Sequence, residues 1–380
     1  MSFQGVQTSG NRYDLMEWAG AFGDLGTLIP FALAYITILK IDPVGLLFMF
    51  GVAKIAAGLI YKTPVPIQPM KAIGASSIAV AGAFTPAAVW GAGLFTGLVW
   101  LVLGLTGLVG KVTALAKKPV VQGIMLGLGL SFIVEGIRFM QSNYLLAAVA
   151  LILTFILIGN KKFPVMFLLL ALGLGTSLFL SPALLPALKQ GIGFHLPHFT
   201  FSQLTWPDLV KGSLLLALPQ IPLTLGNAVI AIVAENNALF PGCPVTERRI
   251  AISTGIMNLI APCWGGVPMC HGAGGMAGHV RFGARTGGAL VILGSLLVLA
   301  ALFFGSGVRT LFSLFPAAVL GVILFFAGAE LALTARSNTS SKQDFYVTLV
   351  TAGFTMWNMG VAFVVGLLLN AALERKWTEI

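Results

Sequence analysis

Charged side chains are scarce in this 380-residue chain: Asp, Glu, Lys and Arg make up 9% of it, against 57% hydrophobic residues. Soluble domains carry about 25% charged residues, so too few charges are present to cover a water-facing globule of this size. Disorder is excluded as well, because it needs high charge and few apolar residues. Cysteine is nearly absent. Cys243, Cys263 and Cys270 form no Cys-x-x-Cys pair, which argues against a disulfide framework, a zinc site or any metal cofactor. No P-loop, His-Glu-x-x-His or Gly-x-Ser-x-Gly string occurs, so a nucleotide-driven pump, a metalloprotease and a lipase of those types are unsupported and no enzyme is expected. Acidic residues number 12 against 22 Lys and Arg, a net charge of +10. In so apolar a chain, basic loops facing a cytoplasm or anionic lipid explain that excess without nucleic acid. The segment from Met1 to Tyr13 is polar and has no apolar leader core, so the first apolar stretch is expected to remain as a membrane span.

What remains is a succession of apolar segments, each near the roughly 20 residues that cross a bilayer. They fall at about 18–39, 43–61, 63–83, 86–109, 119–137, 143–159 and 163–181, and again at about 212–235, 247–262, 264–280, 286–305, 311–334, 343–357 and 358–374. The expected fold class is an all-α polytopic membrane protein of about 14 segments, seven plus seven. With the N-terminus cytoplasmic, Arg12, Lys62, Lys111, Lys117, Lys118, Lys161, Lys162, Arg248, Arg249, Arg281, Arg285, Arg336, Lys342, Arg375 and Lys376 all fall inside. Only Lys40, Arg138, Lys189, Lys211 and Arg309 fall outside, while Lys54 and Lys71 lie within spans. Such a bias over short loops is the positive-inside pattern and puts both termini in the cytoplasm. An odd number of spans per half inverts the second half relative to the first. The first repeat is read as 1–190, the external connector as 191–211 and the second repeat as 212–380.

The third segment of each half is interrupted. One reads Thr63-Pro-Val-Pro-Ile-Gln-Pro-Met-Lys71, the other Gly265-Gly-Val-Pro-Met-Cys-His-Gly-Ala-Gly-Gly-Met276. An offset of 202 aligns Val65 with Val267, Pro66 with Pro268 and Ala75 with Ala277. Closely spaced prolines cannot lie inside a helix and push their neighbours toward extended backbone. Each segment is therefore expected to be half strand-like and half helix, the helix starting near Met70 or His271. In inverted repeats the two half-helices enter from opposite sides and their N-termini meet near the midplane. Free N–H groups and the helix dipole make such tips an anion site. Lys71 in a first helical turn is unfavourable unless an anion is close, which favours an oxyanion.

The candidate substrate-binding residues are Gln68, Met70, Lys71, Gln220, Asn227, His271, Gly272, Ala273 and Gly274. Gln220 lies between two prolines, Pro219 and Pro222, and Asn227 follows them; both offer uncharged donors. His271 is expected to touch substrate, with helix capping as the alternative. Asp24, an intramembrane carboxylate, is the candidate for proton coupling, the alternative being an ion pair with Lys71. Glu135, Glu235 and Glu330 are expected to pair with nearby bases, for example Glu135 with Arg138.

Three strings, Gly-Asp-Leu-Gly-Thr at 23–27, Pro-Val-Pro-Ile-Gln-Pro-Met-Lys-Ala at 64–72 and the run from Pro268 to Gly287, resemble the molybdate transporter family, a distant branch of the SulP sulfate permeases. The resemblance covers essentially the whole chain. It implies a high-affinity oxyanion transporter for molybdate, with sulfate a related substrate, and the inverted-repeat fold of nucleobase and bicarbonate carriers. It also implies core segments at about 12–110 and 212–305, and gate segments at about 119–181 and 308–374. By motif, Gln68, Lys71, His271 and the following glycines belong to the site. The C-terminal regulatory domain of typical SulP proteins is not seen in this sequence, so regulation and dimerisation through such a domain are not expected, and a homodimer stays open. Short termini favour a prokaryotic inner membrane. Two other classes compete: a nucleobase or other small-solute carrier of the same fold, disfavoured by Lys71 and His271, and an anion channel, disfavoured by the two broken helices.

Overall fold

The computed structural model describes residues 10–79, 84–160, 162–335 and 341–375, and these are mostly helical. Lys161, Arg336 and Lys376 of the charge count lie outside them. Six helices among the described residues are long and apolar enough to cross a membrane, and a seventh span results if Val165–Leu180 and Leu184–Gln190, bent by 99°, are one. Shorter apolar helices, Tyr144–Leu157, Ala317–Leu333 and Met359–Glu374, occupy other places where spans are expected.

Helix starts are set by local chemistry. Asp42, Thr85, Asn143, Thr246, Ser341 and Asn358 each turn a side-chain oxygen onto a first-turn N–H, and Pro43 and Pro86 follow their caps directly. Asn358 caps Met359–Glu374 and ends Lys342–Trp357, so one residue both breaks and restarts the chain. Between Trp206 and Leu239 the path stays helical through both prolines. It widens into π turns at Gly212–Ala217 and Thr224–Ala231, on either side of Pro219 and Pro222. A proline removes a hydrogen bond, and the wider turn absorbs the mismatch.

Helices of the two halves pair across the molecule. Pro43–Tyr61 lies against Gly288–Phe304, Pro86–Leu105 against Glu247–Ile260, and Lys118–Met140 against Ala317–Thr334. Small residues bring the backbones together. A Cβ on Gly129 would meet the Gly328 carbonyl at 2.6 Å, and one on Gly328 would meet Gly129 equally closely. Gly51 and Gly294 repeat this reciprocal contact. In lipid, such close packing replaces the hydrophobic drive that water would supply.

The two interrupted segments meet. Gln68–Pro69 (β1) and Met269–Cys270 (β2) form an antiparallel pair, with Gln68 opposite Cys270 and Pro69 opposite Met269. The Met70 N–H adds a bond to the Pro268 carbonyl at 2.9 Å. Half-helices follow at Lys71–Ala79 and Ala273–Arg281, one residue beyond Met70 and two beyond His271, where the starts were expected. Both are nine residues long; both strands and the second tip are buried, while Lys71 and Ala72 of the first tip are half-buried.

Candidate functional site

Each strand of the antiparallel pair leads almost directly into a half-helix, so both helix N-termini lie beside the place where the two segments cross. The first tip is capped from another helix. Gln220 Oε1 accepts from the Ala72 and Ile73 N–H groups at 2.8 and 3.3 Å, while its Nε2 donates to Thr224. A carboxamide oxygen thus sits where an anion would bind the first half-helix. At the second tip the Ala273 and Gly274 amides make no backbone hydrogen bond among the described residues; the first helical bonds there are those of Gly275 and Met276 to Gly272.

Lys71 begins the first half-helix. Its Nζ is buried and has no hydrogen-bond partner among the described residues. It stands 3.8 Å from the centre of the Phe132 ring. That ring comes from Lys118–Met140 and lies directly on Gly274, where any Cβ would overlap it. A free cation, two free amides and one aromatic face therefore share a single small region.

Beside it is a polar network. Asp24 and Lys54 form an ion pair at 2.8 Å with both side chains fully buried. Asp24 also accepts from Gln68 Nε2 and Thr27 Oγ1, and Gln68 Nε2 reaches Thr27 Oγ1 at 2.6 Å. Asp24 is thus paired with Lys54 rather than Lys71, which corrects the alternative drawn from sequence. The reason is register: Lys54 projects from Pro43–Tyr61 straight at Asp24, whereas Lys71 points across the crossing. The glycines of the second tip make room for this network. A Cβ on Gly275 would meet Gln68 Nε2 at 2.7 Å and Asp24 Oδ1 at 2.9 Å, and one on Gly272 would overlap Gln68 Oε1.

His271 is held at both ring nitrogens. Nδ1 bonds the Pro66 carbonyl at 3.0 Å and Nε2 bonds Ser253 Oγ at 2.7 Å. Tyr61 donates to the same Ser253 at 2.6 Å and meets the His271 ring edge-on. The ring borders a cavity of about 190 Å³, with Met49, Ile67 and Met257 among its lining; Lys71 is not part of that lining. Asn227 is buried, with an Oδ1 that accepts nothing among the described residues, and Met70 is fully buried.

The structure brings Gln68, Lys71, Gln220, Gly272, Ala273 and Gly274 to the crossing. Lys54, Phe132 and Ser253 were missed. A lysine inside an apolar run was a visible signal for Lys54; one phenylalanine among 27 gave none. Glu135 pairs with Arg138 at 3.2 Å and Glu330 with Arg281 at 3.3 Å. Glu235, expected to pair with a base, is fully buried and neither oxygen finds a partner among the described residues. Arg281 is engaged by Glu330 instead.

The chain matches the family described as molybdate transporter of MFS superfamily over residues 16–132 and 212–331. It is 34% identical over 400 residues to molybdate transporter 2 of Arabidopsis thaliana, covering 92% of this chain and 85% of that one. Among solved structures it resembles the transmembrane domain of the cyanobacterial bicarbonate transporter BicA, with a TM-score of 0.57, 16% identity, and coverage of 93% and 98%. Murine Slc26a9, an anion transporter, gives a TM-score of 0.58 at 14% identity, covering 98% of this chain and 70% of that one.

Proposed function

Because the chain belongs to the molybdate transporter family, we propose that it is a secondary carrier for a tetrahedral oxyanion, molybdate first and sulfate as a competitor. The anion is held by the Lys71 ammonium and the Ala273 and Gly274 amides. Gln220 holds the first tip through its Oε1, Asn227 supplies a neutral donor, Gln68 and Gly272 set the second tip, and Met70 and His271 anchor the crossing. The observation that carries this reading is the buried Lys71 ammonium without an acceptor, beside two unused helix amides. Leaving a buried charge unpaired is costly, so such a group marks a place where an anion belongs.

The fold reading is the seven-plus-seven inverted repeat with about 14 segments. Support comes from the offset of 202, which carries Lys71–Ala79 onto Ala273–Arg281 and Gln68 onto its own strand partner Cys270. Under the same operation the pairs Pro43–Tyr61 with Gly288–Phe304 and Pro86–Leu105 with Glu247–Ile260 exchange. Core segments of both repeats then move against the gate segments around a midplane site, with both termini cytoplasmic. Bringing in a dianion against a negative interior costs about 2.3 kcal/mol per charge per 100 mV, which proton cotransport offsets.

The test is molybdate binding to the detergent-purified protein, titrated against sulfate and tungstate. Lys71→Met removes a charge-assisted contact worth about 1.5–3 kcal/mol, so affinity is expected to fall roughly 10- to 100-fold. Equal binding by the wild type and Lys71→Met rejects this site. Uptake competed by uracil but not by sulfate or tungstate would favour the small-solute reading.

A further inference from the structure

Phe132 touches both the cation and the second helix tip. Its ring centre is 3.8 Å from Lys71 Nζ, and its edge rests on Gly274, the second residue of Ala273–Arg281. Phe132 is buried, with 7% of its surface exposed. It is delivered by Lys118–Met140, a helix packed against Ala317–Thr334 and Lys342–Trp357, not by either half-helix.

The chemistry of that contact makes it replaceable. The face of an aromatic ring carries partial negative charge and attracts an ammonium, but a desolvated cation–π contact is weaker than a full counter-anion. An oxyanion satisfies Lys71 better and also takes the Gly274 amide beside the ring. Ring and anion cannot coexist, because both need the same space and the same cation and because the ring face repels negative charge. Gly274 is the residue that admits the ring so close to the tip.

Resting on the oxyanion reading of this site, we propose that Phe132 is a substrate stand-in: its ring face stabilises the Lys71 ammonium and packs on the second helix tip until the oxyanion displaces it. Binding is therefore a competition, and Phe132 sets the affinity. Displacement of the ring pushes on Lys118–Met140, so the same residue reports occupancy to the helices that must move.

The experiment is a double-mutant cycle in the full chain, read by molybdate binding. Phe132→Ala and Phe132→Leu are expected to bind molybdate about five- to ten-fold more tightly than the wild type, the leucine variant guarding against collapse of the alanine one. Phe132→Tyr, which keeps the ring face, is expected to bind as the wild type does. In a Lys71→Met background the advantage of Phe132→Leu is expected to vanish, which a merely structural role would not produce. A 4-fluorophenylalanine at position 132 is expected to shift its fluorine resonance on addition of tungstate. Unchanged or weaker binding by Phe132→Leu, alongside a clear loss in Lys71→Met, overturns the stand-in and leaves the oxyanion site standing. No loss in Lys71→Met overturns the site itself. A fluorine signal unmoved at saturating tungstate overturns the displacement.

Discussion

A buried charge is costly to leave without a counterion, and one buried pair here is fully matched. Asp24 and Lys54 lie at 2.8 Å, both fully shielded, and removing either leaves the other without a counterion. Breaking such a pair costs about 3–5 kcal/mol, whereas replacing both by neutral groups is often close to neutral. Asp24→Asn and Lys54→Met are each expected to lower the thermal unfolding midpoint strongly, and the double variant to recover much of it. A double variant as unstable as either single one would show that the pair does more than neutralise itself. His271 belongs to the same scale. With Pro66 and Ser253 on its two nitrogens, His271→Ala is expected to weaken molybdate binding together with thermal stability. Lost affinity at unchanged stability would mean direct contact with substrate.

Elements here are joined through missing side chains. Gly275 sits where a methyl would press on Gln68 and Asp24, so Gly275→Ala is expected to disrupt the second tip and reduce molybdate binding at least ten-fold. Gly110 has open space around it in the short helix Leu108–Thr113, and Gly110→Ala is expected to leave binding unchanged. Helix propensity alone favours that alanine by up to about 1 kcal/mol. Binding assays on the two variants separate glycine as clearance from glycine as composition. Gln220 acts at this scale too, since one carboxamide from Leu218–Leu223 stabilises the start of Lys71–Ala79. The interrupted segments were legible because proline forbids the helix interior whatever surrounds it. The π turns of the 206–239 path were not, because a proline's effect on a buried helix depends on what packs beside it.

At the scale of the whole molecule the question is how charge crosses the membrane. A dianion moving alone against 100 mV, negative inside, faces about 4.6 kcal/mol. Proteoliposomes loaded for an inward proton gradient are expected to accumulate labelled molybdate beyond its equilibrium level. A flat response to that gradient rejects proton coupling while leaving carrier function intact. Composition and the positions of Lys and Arg were enough to read a polytopic membrane chain, because hydrocarbon excludes charge regardless of fold. Proline and glycine spacing was enough to read two broken segments, because backbone sterics are local. Only the tertiary structure decided which groups meet: that Asp24 takes Lys54, that Gln220 fills the first tip, that both His271 nitrogens are engaged and that Phe132 covers Lys71. Those choices depend on helix rotation and on contacts between residues far apart in the chain, and no local pattern records them.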